Sequence, residues 1–312
     1  MNIHLPDLKI YRNRLENKGL ALPLKTVPFF PDGILAALPS GEGCQKAAWP
    51  WCEQTNPNLY GSKNSWPKIS IITPSYNQGA FLEETIRSIL LQNYPNLEYI
   101  IIDGGSTDNT AQILEKYSPW ISYWHSVKDE GQSNAINMGF SLASGDYYAW
   151  INSDDFYLKD IFKLIADTFL DSNAKFVYGY AYELDVTSKS MTLIRVPPLQ
   201  DYFLKIPTLL QSSTFWCSEI HVPIWEEMHC AMDYELWLRL VKGNKRRRIR
   251  LPLSVAQKHE DAKTYDPKMA IKWKEDQQRM WAENAHGIVH EWKRIKFFNR
   301  IRMKLYALLK IL

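Results

Sequence analysis

Residues 68–103 have the sequence KISIITPSYNQGAFLEETIRSILLQNYPNLEYIIID, and this stretch decides the class of fold. Its two ends, residues 68–74 and 97–103, are short runs rich in isoleucine, a β-branched residue that favours strands. The apolar residues between them recur at three- and four-residue steps, which is the spacing of one helix face. A strand, a helix and a second strand in this order predict two parallel strands joined by a crossover helix.

The same alternation continues on the C-terminal side. We predict a second helix, a third strand, a third helix and a fourth strand over residues 107–117, 121–127, 133–144 and 146–152. Alternating strands and helices predict an α/β fold with a mostly parallel sheet and flanking helices. After Phe156 the order is looser, with helices predicted over 160–170 and 231–243 and strands over 175–184, 192–196 and 212–218.

The proline distribution divides the chain. Residues 1–66 are dense in proline, which interrupts helices and strands, yet they carry Trp49, Trp51 and nearby Trp66. We predict an irregular N-terminal extension that packs on the main domain through these tryptophans; the alternative is a disordered tail, although such tails are poor in aromatic residues. The α/β domain is predicted over 67–265 and a helical, basic C-terminal segment over 266–312.

The composition is that of an ordinary soluble protein, with 46% hydrophobic residues, 23% charged residues and a net charge of +3 over 312 residues. That charge is no argument for a nucleic-acid partner, and we predict none. The cysteines, at positions 44, 52, 217 and 230, form no CxxC motif, which argues against zinc and favours reduced thiols. Because the N-terminus has no apolar signal core and no apolar run is long enough to span a bilayer, we expect a cytoplasmic location.

Polar residues follow three of the predicted strands. They are Thr73, Pro74, Ser75 and Tyr76 after the first strand, Asp103 and Gly104 after the second, and Ser153, Asp154 and Asp155 after the fourth. In open α/β sheets ligands bind beyond the carboxyl ends of the strands.

Asp154 and Asp155 are adjacent carboxylates at such an end, and two like charges side by side suit a hard divalent cation, Mg²⁺ or Mn²⁺. A turn followed by a helix N-cap is the alternative, but it accounts for one aspartate only. Asp103, beside Gly104 and Gly105, could accept an N–H from a nucleobase that approaches the glycine backbone closely. On these residues alone a tight turn is the simpler interpretation.

Five motifs occur in a recognisable order: SIITPSYNQG at 70–79, IIIDGGSTDNT at 100–110, DEGQSNAINMG at 129–139, WINSDD at 150–155 and MDYELWLRL at 232–240. Together they resemble the family 2 glycosyltransferases over about residues 68–260. The resemblance implies the GT-A fold and inverting transfer of a sugar from a nucleotide-diphosphate donor.

The resemblance also implies roles for particular residues. Asp233 would be the catalytic base, Asp155 the metal ligand, and His259 a second ligand for the metal or the diphosphate. The remaining donor-binding positions implied are Thr73, Pro74, Ser75, Tyr76, Asp103, Gly104, Gln132, Asn134, Asn137, Ser153 and Asp154. Many family members have two acids where this chain has Asp103 and Gly104. From the sequence alone, Asp233 could be a simple helix cap and His259 a solvated loop histidine.

Two functions are compatible with these motifs. The first is an active hexosyl- or N-acetylhexosaminyl-transferase that uses Mn²⁺ or Mg²⁺ and a UDP-sugar, with a glycan or lipid-linked acceptor. The second is a nucleotide-sugar-binding subunit without turnover. The presence of Asp103, Asp155 and Asp233 together favours the active enzyme.

The C-terminus, residues 291–312, has apolar and basic residues on separate stripes. The apolar positions are Ile295, Phe298, Ile301, Leu305, Leu308 and Leu312, and the basic ones are Lys293, Lys296, Arg300, Lys304 and Lys310. This pattern is typical of helices that lie on anionic membranes. Residues 245–250 add a second basic cluster. We therefore predict peripheral attachment at the inner face of the cell membrane; packing of the helix on the protein itself is the alternative.

Overall fold

The computed structural model describes residues 3–40, 48–61, 65–260, 262–263, 266–282 and 289–311. The helices of this part are α1 (Leu8–Glu16), α2 (Gly79–Leu90), α3 (Thr110–Tyr117), α4 (Gln132–Leu142), α5 (Ile161–Ser172), α6 (Met232–Leu240), α7 (Ala270–Ala282) and α8 (Val289–Leu308). The strands are β1 (Ile69–Ser75), β2 (Leu97–Asp103), β3 (Tyr123–Ser126), β4 (Tyr147–Trp150), β5 (Phe156–Tyr157), β6 (Phe176–Asp185), β7 (Ser190–Ile194), β8 (Thr214–Cys217) and β9 (Arg246–Lys258).

All of these strands form one sheet in the order β3-β2-β1-β4-β8-β6-β9-β5, with β7 paired to β6. The first four are parallel, as the alternation of strands and helices predicted. Every residue of β1 and β2 is buried, because helices cover both faces of this half of the sheet. Ser75 pairs with Asp103 at the ends of β1 and β2, so the polar residues that follow these strands emerge at one edge.

Beyond β4 the sheet is mixed, and its longest strand, β9, was not predicted. It pairs in parallel with β6 over most of its length and antiparallel with β5. Four arginines and a proline between residues 246 and 252 hide the strand pattern in the sequence.

The basic cluster predicted at 245–250 lies at the start of β9, where Lys245, Arg247 and Arg250 are exposed. Arg246 pairs with Asp201, while Arg248 donates to the carbonyl oxygens of Val196 (3.0 Å) and Ile311 (2.9 Å). Only part of the cluster therefore remains on the surface.

The N-terminal segment is mostly irregular and packs on the domain, as predicted, but it also contains the unpredicted helix α1. Trp51 and Trp66 are buried, and the indole N–H of Trp49 donates to the carbonyl oxygen of Tyr157 at 2.8 Å.

Arg87 on α2 holds this segment in place. Its buried guanidinium donates to the carbonyl oxygens of Pro39, Pro50 and Trp51 and to the hydroxyl of Tyr117, at 2.9–3.1 Å. A buried arginine is tolerated when its donors are satisfied, and here the N-terminal backbone satisfies most of them.

The C-terminal segment is helical, as predicted. Trp292 and Ile295 at the start of α8 are buried, whereas the later apolar positions Phe298, Ile301 and Leu305 are exposed. Leu312 lies outside the described residues. No helix in the described part of the chain is both long and apolar enough to cross a bilayer.

Candidate active site

The loop between β4 and β5 carries the two adjacent carboxylates. The hydroxyl of Thr85 on α2 donates to the carbonyl oxygens of Ser153 (2.9 Å) and Asp155 (2.7 Å). These hydrogen bonds attach the loop to α2. Asp155 is buried and its Oδ1 accepts the backbone N–H of Gln257 on β9 at 3.0 Å. Burial, and then the neighbouring charge of Asp154, raises the pKa of Asp155 well above its ordinary value of 3.8.

Asp154 is the more accessible of the two and faces His259, which follows β9. Its Oδ2 lies 3.1 Å from Nε2 of His259. The imidazole stacks on Phe81 of α2, with the ring centroids 4.3 Å apart, so its orientation is set by packing. Nδ1 of His259 is buried and contacts no hydrogen-bond partner among the described residues.

The donor set of Asp154 and His259 fits a divalent cation. Two ligands about 2.1 Å from one octahedral ion and at right angles to each other lie about 3 Å apart, close to the separation seen here. The described residues contain no group of three or more His, Cys, Asp and Glu side chains arranged for a metal. Waters and substrate phosphates would therefore complete the coordination, as is usual for Mg²⁺ sites. The sequence analysis predicted Asp155 and His259 as ligands. In the structure the carboxylate in contact with His259 is that of Asp154, the neighbour of Asp155 in the chain.

Gln132, at the start of α4, connects this loop to a lysine that the sequence analysis did not single out. Its amide Nε2 donates to Oδ1 of Asn152 at 2.9 Å, and its Oε1 accepts from Nζ of Lys263 at 2.7 Å. Desolvation lowers the pKa of Lys263, while the charge of Asp154 acts in the opposite direction. Lys263 is thus linked through Gln132 to Asn152, in the loop that carries Asp154.

Asp103 lies at the end of β2, fully buried. Its carboxylate accepts from the backbone N–H of Ser106 (2.9 Å) and from the hydroxyls of Ser106 and Ser126 (both 2.5 Å). These bonds orient the carboxylate within the β2–α3 loop.

A second carboxylate lies next to Asp103, and the sequence analysis missed it. A Cβ placed on Gly104 would come within 3.0–3.2 Å of the carboxylate of Asp129. Asp129 therefore covers the position where many family 2 members carry their second acid. Burial, assisted by the nearby charge of Asp103, raises the pKa of Asp129. The sequence signal that could have identified Asp129 is its position as the first residue of the motif DEGQSNAINMG.

The residues after β1 are divided between the interior and the surface. The buried hydroxyl of Thr73 accepts from the hydroxyl of Tyr99 at 3.3 Å, and Pro74 pairs with Ile102 inside the sheet. The hydroxyl of Ser75 is buried without a hydrogen-bond partner in the described part of the chain, whereas Tyr76 is 61% exposed. Ser75 and Tyr76 are therefore the residues of this group that remain available to a ligand.

The side-chain amides of Asn134 and Asn137 donate hydrogen bonds to other residues of the protein. Nδ2 of Asn134 donates to the hydroxyl of Tyr11 at 3.0 Å, and Nδ2 of Asn137 donates to Glu226 and to the carbonyl of Ile224, both at 2.8 Å. Glu226 also accepts from the Tyr11 hydroxyl at 2.8 Å. This network attaches α1 and the segment before α6 to α4, and Gln132 is the α4 residue that faces the β4–β5 loop.

Asp233 lies in the first turn of α6, as predicted. Its Oδ1 accepts the N–H of Tyr234 at 2.7 Å, and burial raises its pKa from 3.8 to about 6.

The loop before α6 is held by a residue from the C-terminal segment. Asp276 of α7 is fully buried, and its carboxylate accepts the backbone N–H groups of His229, Cys230 and Ala231 at 2.6–3.2 Å. Its contribution to the site could not be read from the sequence, because 43 residues separate it from Asp233.

A parallel α/β half-sheet with carboxylates at its strand ends, and a second, mixed half that carries a half-buried aspartate of raised pKa, are the features of a glycosyltransferase of the GT-A type. Comparison with known proteins agrees with this class: the family model for Glycosyl transferase family 2 matches residues 70–218.

TuaG of Bacillus subtilis strain 168, whose provisional name is teichuronic acid biosynthesis glycosyltransferase, is 35% identical over 119 residues, or 37% of this chain and 47% of TuaG. The chain spans less than two thirds of the length of the curated relatives it matches first.

Two solved structures are similar in fold. Staphylococcus aureus TarS 1–349 in complex with UDP has a TM-score of 0.50 at 19% identity, covering 66% of this chain and 65% of that one. The mannosyltransferase PcManGT from Pyrobaculum calidifontis, in complex with GDP-Man and Mn²⁺, has a TM-score of 0.52 at 16% identity, covering 79% and 71%.

Proposed function

We propose that this chain is an inverting glycosyltransferase that moves a hexosyl or N-acetylhexosaminyl group from a UDP-sugar to a hydroxyl of a lipid-linked or growing cell-surface glycan. The observation that carries the proposal is the Asp154–His259 pair, 3.1 Å apart at the carboxyl end of β4, in a loop that Gln132 links to Lys263. A metal-ligand pair next to a cationic side chain is suited to a diphosphate, whose oxygens can bind both.

Asp154 and His259 would hold Mn²⁺ or Mg²⁺, and Asp155 adds negative charge behind them. A divalent cation bound there would supply Lewis-acid stabilisation of the charge that develops on the leaving diphosphate. Lys263 supplies a fixed positive charge on the same side. The fold is shared with PcManGT, which was solved with Mn²⁺.

Asp103 and Asp129 are proposed to receive the nucleobase. Uracil presents an N–H donor on its pairing edge, and a carboxylate is an acceptor for it. Gly104 leaves room for the carboxylate of Asp129, which a side chain at position 104 would meet. The free hydroxyl of Ser75 and the exposed ring of Tyr76 lie on the adjoining strand end. TarS, similar in fold, was solved with UDP.

Asp233 is proposed to remove the proton of the acceptor hydroxyl. With a pKa of about 6 it is largely ionised at neutral pH and is more basic than an ordinary aspartate, which is what a general base requires. Direct attack by the acceptor on the anomeric carbon inverts its configuration without a sugar–enzyme intermediate.

The acceptor class follows from two supports. TuaG, a relative in sequence, is named for the synthesis of a cell-surface glycan. The basic, partly apolar α8 is suited to peripheral attachment at the cytoplasmic face of the membrane, where lipid-linked acceptors are found.

UDP release from a panel of UDP-sugars, with Mn²⁺ and a bacterial membrane fraction as the acceptor source, tests the proposal. We expect one donor to give sustained release, and Asp233→Asn to bind that donor normally while losing turnover. If UDP-sugars raise the melting temperature but no sugar leaves any donor, the chain is a binding subunit.

A further inference from the structure

The last turns of α8 and the segment before β8 enclose an open pocket of about 490 Å³ on the surface. Its lining is mainly apolar and aromatic: Tyr202, Phe203, Phe298, Ile301, Leu305 and Tyr306. Of these, Tyr202 and Phe298 are 43% and 45% exposed, so they form the rim of the pocket. A pocket of this size on an otherwise polar helix requires an explanation.

Arg302 is the one charged residue in the lining, and it is only 7% exposed. Its guanidinium carbon lies 3.9 Å from the centroid of Phe203, and its Nη2 donates to Oδ1 of Asn299 at 2.6 Å. The remaining donors, Nε and Nη1, are buried without a partner among the described residues. A buried cation with two unused N–H groups costs stability unless an anion binds it.

The acidic groups near the pocket are already paired. Asp201 binds Arg246, and Glu291 binds Lys205 at 2.7 Å. Along α8 itself six basic residues stand against the single acid Glu291. The charge in and around the pocket is therefore positive, although most of the pocket surface is apolar.

An apolar pocket with one buried, fork-shaped cation matches an amphiphile with an anionic phosphate. We propose that this pocket binds an anionic membrane phospholipid, with the phosphate on the buried guanidinium of Arg302 and the upper acyl chain along Phe298 and Leu305. Arginine suits this task because its guanidinium stays charged and donates charge-assisted hydrogen bonds to phosphate oxygens.

This inference deepens the proposed membrane attachment of residues 291–312 and does not depend on the transfer reaction. The test is therefore a binding measurement in the absence of donor. Its failure would leave UDP release unaffected, and failure of UDP release would leave lipid binding unaffected.

The decisive comparison is between Arg302→Gln and Arg300→Gln in the full chain. Both variants remove one positive charge from α8, but Arg300 is exposed and Arg302 is buried. We expect flotation with phosphatidylglycerol vesicles to weaken about tenfold or more for Arg302→Gln, and by no more than the roughly fivefold that one surface charge contributes for Arg300→Gln. If the two variants lose vesicle binding equally, or if Arg300→Gln loses more, binding reflects a general electrostatic attraction to the membrane. Either result would overturn the proposal that the pocket binds the lipid.

A second pair of variants keeps the test independent of any folding defect in Arg302→Gln. Phe298 lines the pocket and Phe297 does not, and Phe297 is the more exposed of the two at 60%. We expect Phe298→Ser to weaken flotation more than Phe297→Ser. The reverse order would indicate simple insertion of the exposed ring into the bilayer and contradict the proposal.

The last experiment distinguishes a lipid phosphate from inorganic phosphate as the ligand of the pocket. Below its micelle concentration, dihexanoyl phosphatidylglycerol should bind the full chain and compete with the vesicles, whereas dihexanoyl phosphatidylcholine and inorganic phosphate should not compete at equal concentration. Binding of inorganic phosphate with the same affinity as the lipid would reduce the pocket to an anion site and overturn the proposal.

Discussion

Nε2 of His259 lies 3.1 Å from Oδ2 of Asp154, although β8 and β6 separate the strands that these two residues follow. His259 follows β9, whereas Asp154 follows β4, and 105 positions separate them in the chain. The stacking of the imidazole on Phe81 holds the pair in a geometry that suits two ligands of one cation.

We expect Asp154→Ala and His259→Ala each to weaken the Mn²⁺-dependent binding of UDP by about 10- to 100-fold or more, since each removes one of few protein ligands. Isothermal titration of UDP with and without Mn²⁺ measures this. Glu53→Ala, on a surface ion pair with Lys159, is the control and should bind normally. UDP binding that is unchanged by chelator would remove the metal role from both residues.

The pH dependence of turnover should report Asp233. Because its pKa is raised to about 6, the base is protonated below that pH, and kcat should fall there and level off above it. Asp233→Asn should lower kcat by roughly 10²–10⁴-fold while leaving donor affinity nearly unchanged. A pH profile that stays flat through 6, or full turnover in the asparagine variant, would assign Asp233 to helix capping only.

Asp233 should also affect the free energy of unfolding. Its ionised form, which turnover requires, should make the folded protein less stable. Its pKa in the folded protein lies above that of the unfolded chain, so the folded protein holds the proton more tightly, and stability falls as the pH rises from 3.8 through about 6. At neutral pH we expect Asp233→Asn to raise the free energy of unfolding by up to about 3 kcal/mol. Urea denaturation at neutral and acidic pH measures the difference, which should disappear in acid. A variant that is less stable at neutral pH would contradict this account.

Asp276 should be essential to the loop before α6. Replacing it with alanine leaves three consecutive backbone N–H groups without their acceptor, at a cost of at least about 3 kcal/mol. The exposed neighbour Glu275 on the same helix is the control, and Glu275→Ala should change the free energy of unfolding by no more than about 0.5 kcal/mol. Thermal unfolding of both variants checks this, and equal melting temperatures would show that the loop is held by other contacts.

The N-terminal segment should loosen when Arg87 is replaced. Lysine at this position cannot reach three carbonyl groups and a hydroxyl at once, so we expect Arg87→Lys to expose residues 3–61 to limited proteolysis at protease levels that leave the wild type intact. Arg12→Lys, on a surface pair with Glu16, is the matched control. Identical digestion of Arg87→Lys and the wild type would indicate that the buried tryptophans suffice.

The sequence determined the parallel half of the sheet and the position of each strand end, because β1, β2 and β4 are almost wholly buried and their sequences are rich in apolar residues. It also determined the helical start of α6 with Asp233 in the first turn. These features depend on near neighbours in the chain, for which periodicity and capping chemistry are direct signals.

Only the tertiary structure decided which side chains meet. Asp129 over Gly104, His259 beside Asp154, Asp276 under the loop before α6 and Arg302 in its pocket all join positions that are distant in the chain. The strand β9, hidden by its arginines, brings Gln257 to Asp155, and pairing with β6 rather than its own composition makes it a strand. Burial then separates the carboxylates, raising the pKa of Asp155 and Asp233, since desolvation depends on the whole surrounding fold and not on local sequence.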